Sequence, residues 1–225
     1  SGNPKPRILR LRENEALINS LGFPGSGLEA TLAKLSNTPF TNETSKRVLS
    51  VSGTEISEIL ECHSSLEPYA SAIEVNISSP NTAGLRIFQD PKHLVTLVEE
   101  LNQSRSTPLF VKLPPYDSRN PCSSKDTILE LARTCAEHEV NCVTIGNTLP
   151  TEEIRLAVGK GGLSGSPLFP NTLQMVKDVY REFGNLIGIN ACGGISTGKQ
   201  IYALLSNGAS SVQLYTSLVY QGPGL

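Results

Sequence analysis

Six short apolar runs recur along the chain, with helical patterns between them. RVLSVSG (47–53), AIEVNIS (72–78), PLFVKLPP (108–115), CVTIGN (142–147), LIGIN (186–190) and SVQLYT (211–216) have strand length and are bounded by turn-forming residues. Between them, Leu94, Leu97, Val98 and Leu101 fall at i, i+3, i+4 and i+7, one apolar stripe of a helix. Ile128, Leu131, Ala132 and Cys135 repeat that spacing, and Ile201, Leu204 and Leu205 precede an Asn207-Gly208 stop signal. Strands this apolar, each followed by an amphipathic helix, require a parallel sheet covered by helices. The class is α/β.

Two architectures fit that class. An open doubly wound sheet should show GxGxxG after its first strand, whereas a (β/α) barrel places chemistry at many strand ends. GxGxxG does not occur, and polar or glycine-rich clusters follow nearly every strand. The expectation is a TIM-type barrel forming one domain over 1–225, with 38–46 an exposed loop.

Composition narrows the ligands. The 225 residues carry a net charge of only −2 and no basic stripe, so nothing points to nucleic acid or an anionic membrane surface. No apolar run reaches the ~18 residues a membrane span needs. Five scattered cysteines, Cys62, Cys122, Cys135, Cys142 and Cys192, form no CxxC pair, which suits a reducing compartment. The three histidines lack metal-ligand spacing, and no metal site is expected.

A barrel gathers its strand ends into one mouth. There the chain supplies Asn19, Gly22, Asn76, Ser79, Asn81, Lys112, Asn147, Thr148, Gly193, Gly194, Tyr215 and Thr216. Amides both donate and accept, which suits a planar, heteroatom-rich ligand such as a pyrimidine. Lys112, between Val111 and Leu113, either meets an anion or delocalised charge or snorkels to the rim. GKGGLSGSP (159–167), ACGGIS (191–196) and QLYTS (213–217) read as loops whose N–H groups and hydroxyls could hold a phosphate.

On these motifs the sequence resembles the dihydroorotate dehydrogenase family, FMN-dependent (β/α)8 barrels that oxidise dihydroorotate to orotate in pyrimidine synthesis. The match runs through GNPKPR, INSLGFPGSG, EVNISSPNTAGL, VKLPPY, GGLSG, ACGGIS and QLYTSLVYQGPG, in the family's order. The resemblance implies that Ser79 is the base at C5 while hydride leaves C6 for flavin N5. It implies an orotate-binding set of Asn19, Gly22, Phe23, Asn76, Asn81, Asn147 and Thr148. Lys112 would support the charge of the reduced flavin, and Ser164, Gly165, Gly193, Gly194, Tyr215 and Thr216 would contact FMN. Aligning on IGN would instead put the family's Asn-Thr pair at Val143-Thr144; alignment from the preceding helix favours Asn147-Thr148.

The resemblance is mixed in class. RVLSVSG and VKLPPY are similar to the soluble class 1 enzymes that reduce fumarate, yet those use cysteine where this chain has Ser79. The quinone-reducing class 2 enzymes use serine, and QLYTSLVYQGPG resembles them. The expected acceptor is either fumarate or a quinone, a homodimer is a compatible assembly, and the expected location is cytoplasmic, or mitochondrial if a preceding segment carries a targeting signal. Family members have a first barrel strand before GNPxPR and a closing helix after QGPG, so about seven of eight strands are expected here. Two alternatives follow: another FMN barrel acting on a reduced pyrimidine, of the dihydropyrimidine type, or a non-catalytic barrel remnant with a structural or interaction role.

Overall fold

The computed structural model describes residues 2–38, 46–79 and 83–225. Asn81 and most of the loop expected over 38–46 lie outside the described residues. In chain order the elements are β1 (Ile8–Leu11), β2 (Ala16–Asn19), α1 (Leu28–Ser36), β3 (Val48–Val51), α2 (Ile56–Leu66), β4 (Ala72–Asn76), α3 (Pro91–Ser104), β5 (Leu109–Leu113) and α4 (Lys125–Glu137). They continue with β6 (Cys142–Ile145), β7 (Leu149–Glu152), β8 (Lys160–Gly165), α5 (Phe169–Phe183), β9 (Gly188–Cys192), α6 (Gly198–Leu205), β10 (Ser211–Gln213) and α7 (Thr216–Gln221).

All six expected strands form, and together they make one curled parallel sheet in the order β10-β9-β6-β5-β4-β3. This is an incomplete (β/α) barrel, with six parallel strands among the described residues where about seven were expected. Side chains alternate across each strand. Ile73, Val75, Leu109, Val111, Leu113, Val143, Ile145 and Ile189 turn outward and are buried with the helix stripes, including Leu94, Leu97, Val98 and Leu101 of α3. Each fully buried Leu or Ile contributes roughly 1.5–3 kcal/mol, so this layer dominates stability.

The inward face is different. The register aligns Asn76 with Lys112, Lys112 with Thr144, Thr144 with Asn190 and Asn190 with Ser211, so one polar row crosses five neighbouring strands. Helix starts are fixed locally: Asp90 accepts from Lys92 N–H at 2.9 Å before α3, and Ser124 accepts from Thr127 N–H at 3.3 Å before α4.

A second, antiparallel sheet in the order β1-β2-β8-β7 was not foreseen. It corrects the reading of GKGGLSGSP as a phosphate loop, because Lys160–Gly165 is strand β8. The glycines serve close approach instead. A Cβ at Gly162 would lie 1.9 Å from Thr148 Oγ1, and one at Gly161 would lie 2.6 Å from the Asn19 carbonyl oxygen. The small sheet is tied to α7 by Tyr220, whose hydroxyl donates to the carbonyls of Leu11 at 3.1 Å and Ala16 at 2.9 Å.

Candidate active site

Where β8 of the small sheet meets the carboxyl ends of β5, β6, β9 and β10, a pocket opens. Its wall includes Lys112 from β5, Gly146, Asn147 and Thr148 after β6, Cys192, Gly193 and Gly194 at the end of β9, and Gln213, Tyr215 and Thr216 at the end of β10. Ser164 and Gly165 close it from β8, and Leu168 and Ile195 add apolar surface. All seven residues expected to contact a cofactor, Lys112, Ser164, Gly165, Gly193, Gly194, Tyr215 and Thr216, therefore share one wall.

The two sheets are joined across this pocket. Thr216 Oγ1 donates to Ser164 Oγ at 2.9 Å, and Ser164 Oγ donates to the Leu17 carbonyl at 3.3 Å. Gly165 sits at φ +99, where a side chain is strained, and a Cβ there would lie 2.2 Å from the Glu15 carbonyl oxygen. Gly194 is similarly constrained at φ +72, with its Cβ position 2.4 Å from Phe169 N. Hydroxyls, a single ammonium and tight glycine turns, beside apolar Leu168 and Ile195, suit a planar heteroatom-rich ring carrying an anionic tail.

The expected substrate amides lie beside this wall. Asn76 Oδ1 accepts from the Ser78 hydroxyl at 2.7 Å and from the Ser78 N–H at 3.1 Å, leaving its Nδ2 to donate to a ligand. Asn147 Nδ2 donates to Ser78 Oγ at 2.7 Å, while its Oδ1 accepts from Thr148 N–H at 2.7 Å. Asn19 Nδ2 reaches the Gly162 carbonyl at 3.4 Å, beside Thr148. Ser79 follows at the end of β4 and is 9% exposed. Gly22 and Phe23 lie in the loop beyond Asn19, off the pocket wall, and Phe23 is half-exposed at φ +52. Thr144, the other alignment of the Asn-Thr pair, is fully enclosed and donates to Glu74 Oε2 at 2.7 Å, whereas Asn147 and Thr148 line the pocket.

Several polar residues of the site were not expected from the sequence, among them Glu15 at the pocket mouth. Cys192 and Gln213 line the pocket, and Glu74 lies buried behind it. The signal for Glu74 was available: it shares strand phase with Asn76, so it faces inward. Burial pushes the Cys192 thiol above its ordinary range, an effect the Lys112 ammonium opposes and the Glu74 carboxylate reinforces. Among the described residues no group of three or more His, Cys, Asp or Glu is placed to hold a metal ion, and no helix is long and apolar enough to cross a membrane.

Comparison with known proteins agrees with this geometry. The family model described as Dihydroorotate dehydrogenase matches residues 1–225. A dihydroorotate dehydrogenase (quinone) of Coxiella burnetii is 34% identical over 249 residues, covering 100% of this chain and 68% of the relative. One from Chloroflexus aurantiacus is 38% identical over 243 residues, covering 99% and 65%. The crystal structure of DHODH from Eimeria tenella in complex with ferulenol superposes with a TM-score of 0.83 at 29% identity, covering 99% of this chain and 67% of that one. The chain thus spans about two thirds of the length of these relatives.

Proposed function

Because this chain belongs to the dihydroorotate dehydrogenase family, oxidoreductases of pyrimidine biosynthesis, we propose that its pocket holds FMN and that the protein oxidises dihydroorotate to orotate. The observation that carries this reading is the convergence of the seven expected cofactor residues on one wall, next to the Asn147–Ser78–Asn76 hydrogen-bond chain. Lys112, Ser164, Gly165, Gly193, Gly194, Tyr215 and Thr216 would hold the cofactor. When bound, FMN supplies the acceptor for the hydride that leaves C6 of the substrate.

The chain's own residues handle the proton and the orientation. Ser79 takes the proton from C5. A serine hydroxyl is a weak base, so the step needs a site closed to water, which the burial of Ser78 and Ser79 supports. Asn76 presents an amide donor whose orientation is set by its two bonds from Ser78, and Asn19, Asn81 and Asn147 complete the orotate-binding set. Lys112 favours negative charge in the pocket, because its ammonium sits among hydroxyls and apolar groups, with the Glu15 carboxylate turned out to solvent at the mouth. The relatives' names include quinone, which favours a quinone over fumarate as the final acceptor.

The test is orotate formation by the longest natural form of the protein, supplied with FMN, a soluble quinone and either dihydroorotate or dihydrouracil. Orotate should accumulate, with dihydrouracil untouched. Consumption of dihydrouracil alone would move the protein to the dihydropyrimidine type, and failure to take up FMN would support the non-catalytic reading.

A further inference from the structure

We propose that Glu74 is a positioning residue for the pocket's electrostatics, a fixed buried counter-charge that tempers the Lys112 ammonium and so sets how strongly the site favours an electron-rich ring. The flavin part of this inference rests on the reading of the pocket given above; the charge coupling does not.

Glu74 is 4% exposed on the inward face of β4. Its Oε1 accepts from Ser50 Oγ at 3.0 Å, and its Oε2 accepts from Thr144 Oγ1 at 2.7 Å and from Gln213 Nε2 at 3.5 Å. Thr144 Oγ1 also accepts from Asn190 Nδ2 at 3.1 Å, so its single hydrogen is committed to Glu74. Asn190 is held in turn by Ser211 Oγ, which donates to its Oδ1 at 2.9 Å. Donors on β3, β6 and β10 therefore converge on one side chain and fix both of its carboxyl oxygens in place.

Lys112, two residues further along the same face in register, has no carboxylate within ion-pair distance among the described residues. Glu74 acts on it through space, in an interior where charges are weakly screened. Cys192 registers both, since Lys112 pulls its thiol down and Glu74 pushes it up. Glu15, a carboxylate that unlike Glu74 lies on the pocket wall itself, is exposed at the mouth beside Ser166 Oγ, which donates to its Oε2 at 3.3 Å. Gln213 links Glu74 directly to the pocket wall.

The experiment follows alkylation of Cys192 by iodoacetamide, resolved by peptide mass spectrometry, as a function of pH in cofactor-free protein. Glu74→Gln should lower the midpoint of Cys192 reactivity and raise its rate several-fold at mildly alkaline pH. Lys112→Gln should do the opposite, and the double variant should return close to wild type. Glu74→Met, similar in length and uncharged, is the second variant. An unchanged Cys192 profile in either folded variant overturns the proposal, as does failure of both to fold, which would make the carboxylate a structural requirement. In FMN-loaded protein, Glu74→Gln should favour reduced over oxidised cofactor several-fold, read as a higher midpoint potential, with about 30 mV per tenfold for a two-electron couple; an unchanged or lower potential overturns the proposal. If the thiol profile shifts but FMN does not bind, the counter-charge stands and the flavin reading falls.

Discussion

On the face of the parallel sheet that meets the helices stand Ile73, Val75, Val111, Val143 and Ile189, all buried and none polar. On the opposite face of the same strands stand Glu74, Asn76, Lys112, Thr144 and Asn190. The outer face needs only apolar volume, so its residues are interchangeable within limits. The inner face needs specific donors and acceptors, because each buried polar group must find a partner. Folding and chemistry are thus separated by strand phase, and substitutions on the two faces should fail in different ways.

The largest expected effect lies at the rim of the inner face. Ser79→Ala should lower dihydroorotate oxidation by about 10²–10⁴-fold, the usual contribution of a positioned base, with FMN affinity and melting temperature close to wild type. Steady-state kinetics beside a flavin titration checks it; loss of flavin together with activity would blur the distinction between the faces. On the outer face, Leu97→Ala removes a fully buried side chain of α3 and should destabilise the fold by about 2–5 kcal/mol. Urea denaturation measures this, and the folded fraction should turn over normally.

Gly165→Ala probes the junction with the small sheet. The φ of +99 and the nearby Glu15 carbonyl make a side chain there cost about 1–3 kcal/mol in strain. FMN binding should weaken about tenfold or more, 1.4 kcal/mol per tenfold, while the parallel sheet stays cooperative.

The smallest effect is on pH dependence. His63, 1% exposed in α2, has its pKa lowered chiefly by burial, with the Glu67 carboxylate opposing the shift and Arg105 adding to it. A lowered folded pKa means the unfolded chain binds the proton more readily, so stability falls as pH drops below the ordinary histidine value near 6.5. Denaturation midpoints at successive pH values should show this decline, and His63→Phe should flatten it.

The outer face was legible from sequence because its signal is local: a run of apolar residues names a strand, and a 3.6-residue stripe names the helix covering it. The six strands and the α3, α4 and α6 stripes were read that way. The inner face was legible in part, through Asn76, Lys112 and Asn147 at strand ends. Glu74 is, in sequence, only the polar position of an alternating strand, and its partners Ser50, Thr144 and Gln213 lie far away along the chain. The small sheet was not legible at all. Its strands are short, β1 and β7 are partly exposed, and β2 pairs with β8, residues 16–19 against 162–165, far apart in sequence. Glycines 161 and 162, read as loop chemistry, are there so that strands and Thr148 can approach closely.

We propose that the inner face and β8 together form a flavin site whose substrate is dihydroorotate. Its most direct measurement is the absorbance of the FMN-loaded protein when dihydroorotate is added without oxygen or quinone. Rapid bleaching is expected in the wild type, with flavin retained but not bleached in Ser79→Ala. A flavin-loaded wild type that stays oxidised in excess dihydroorotate would contradict it.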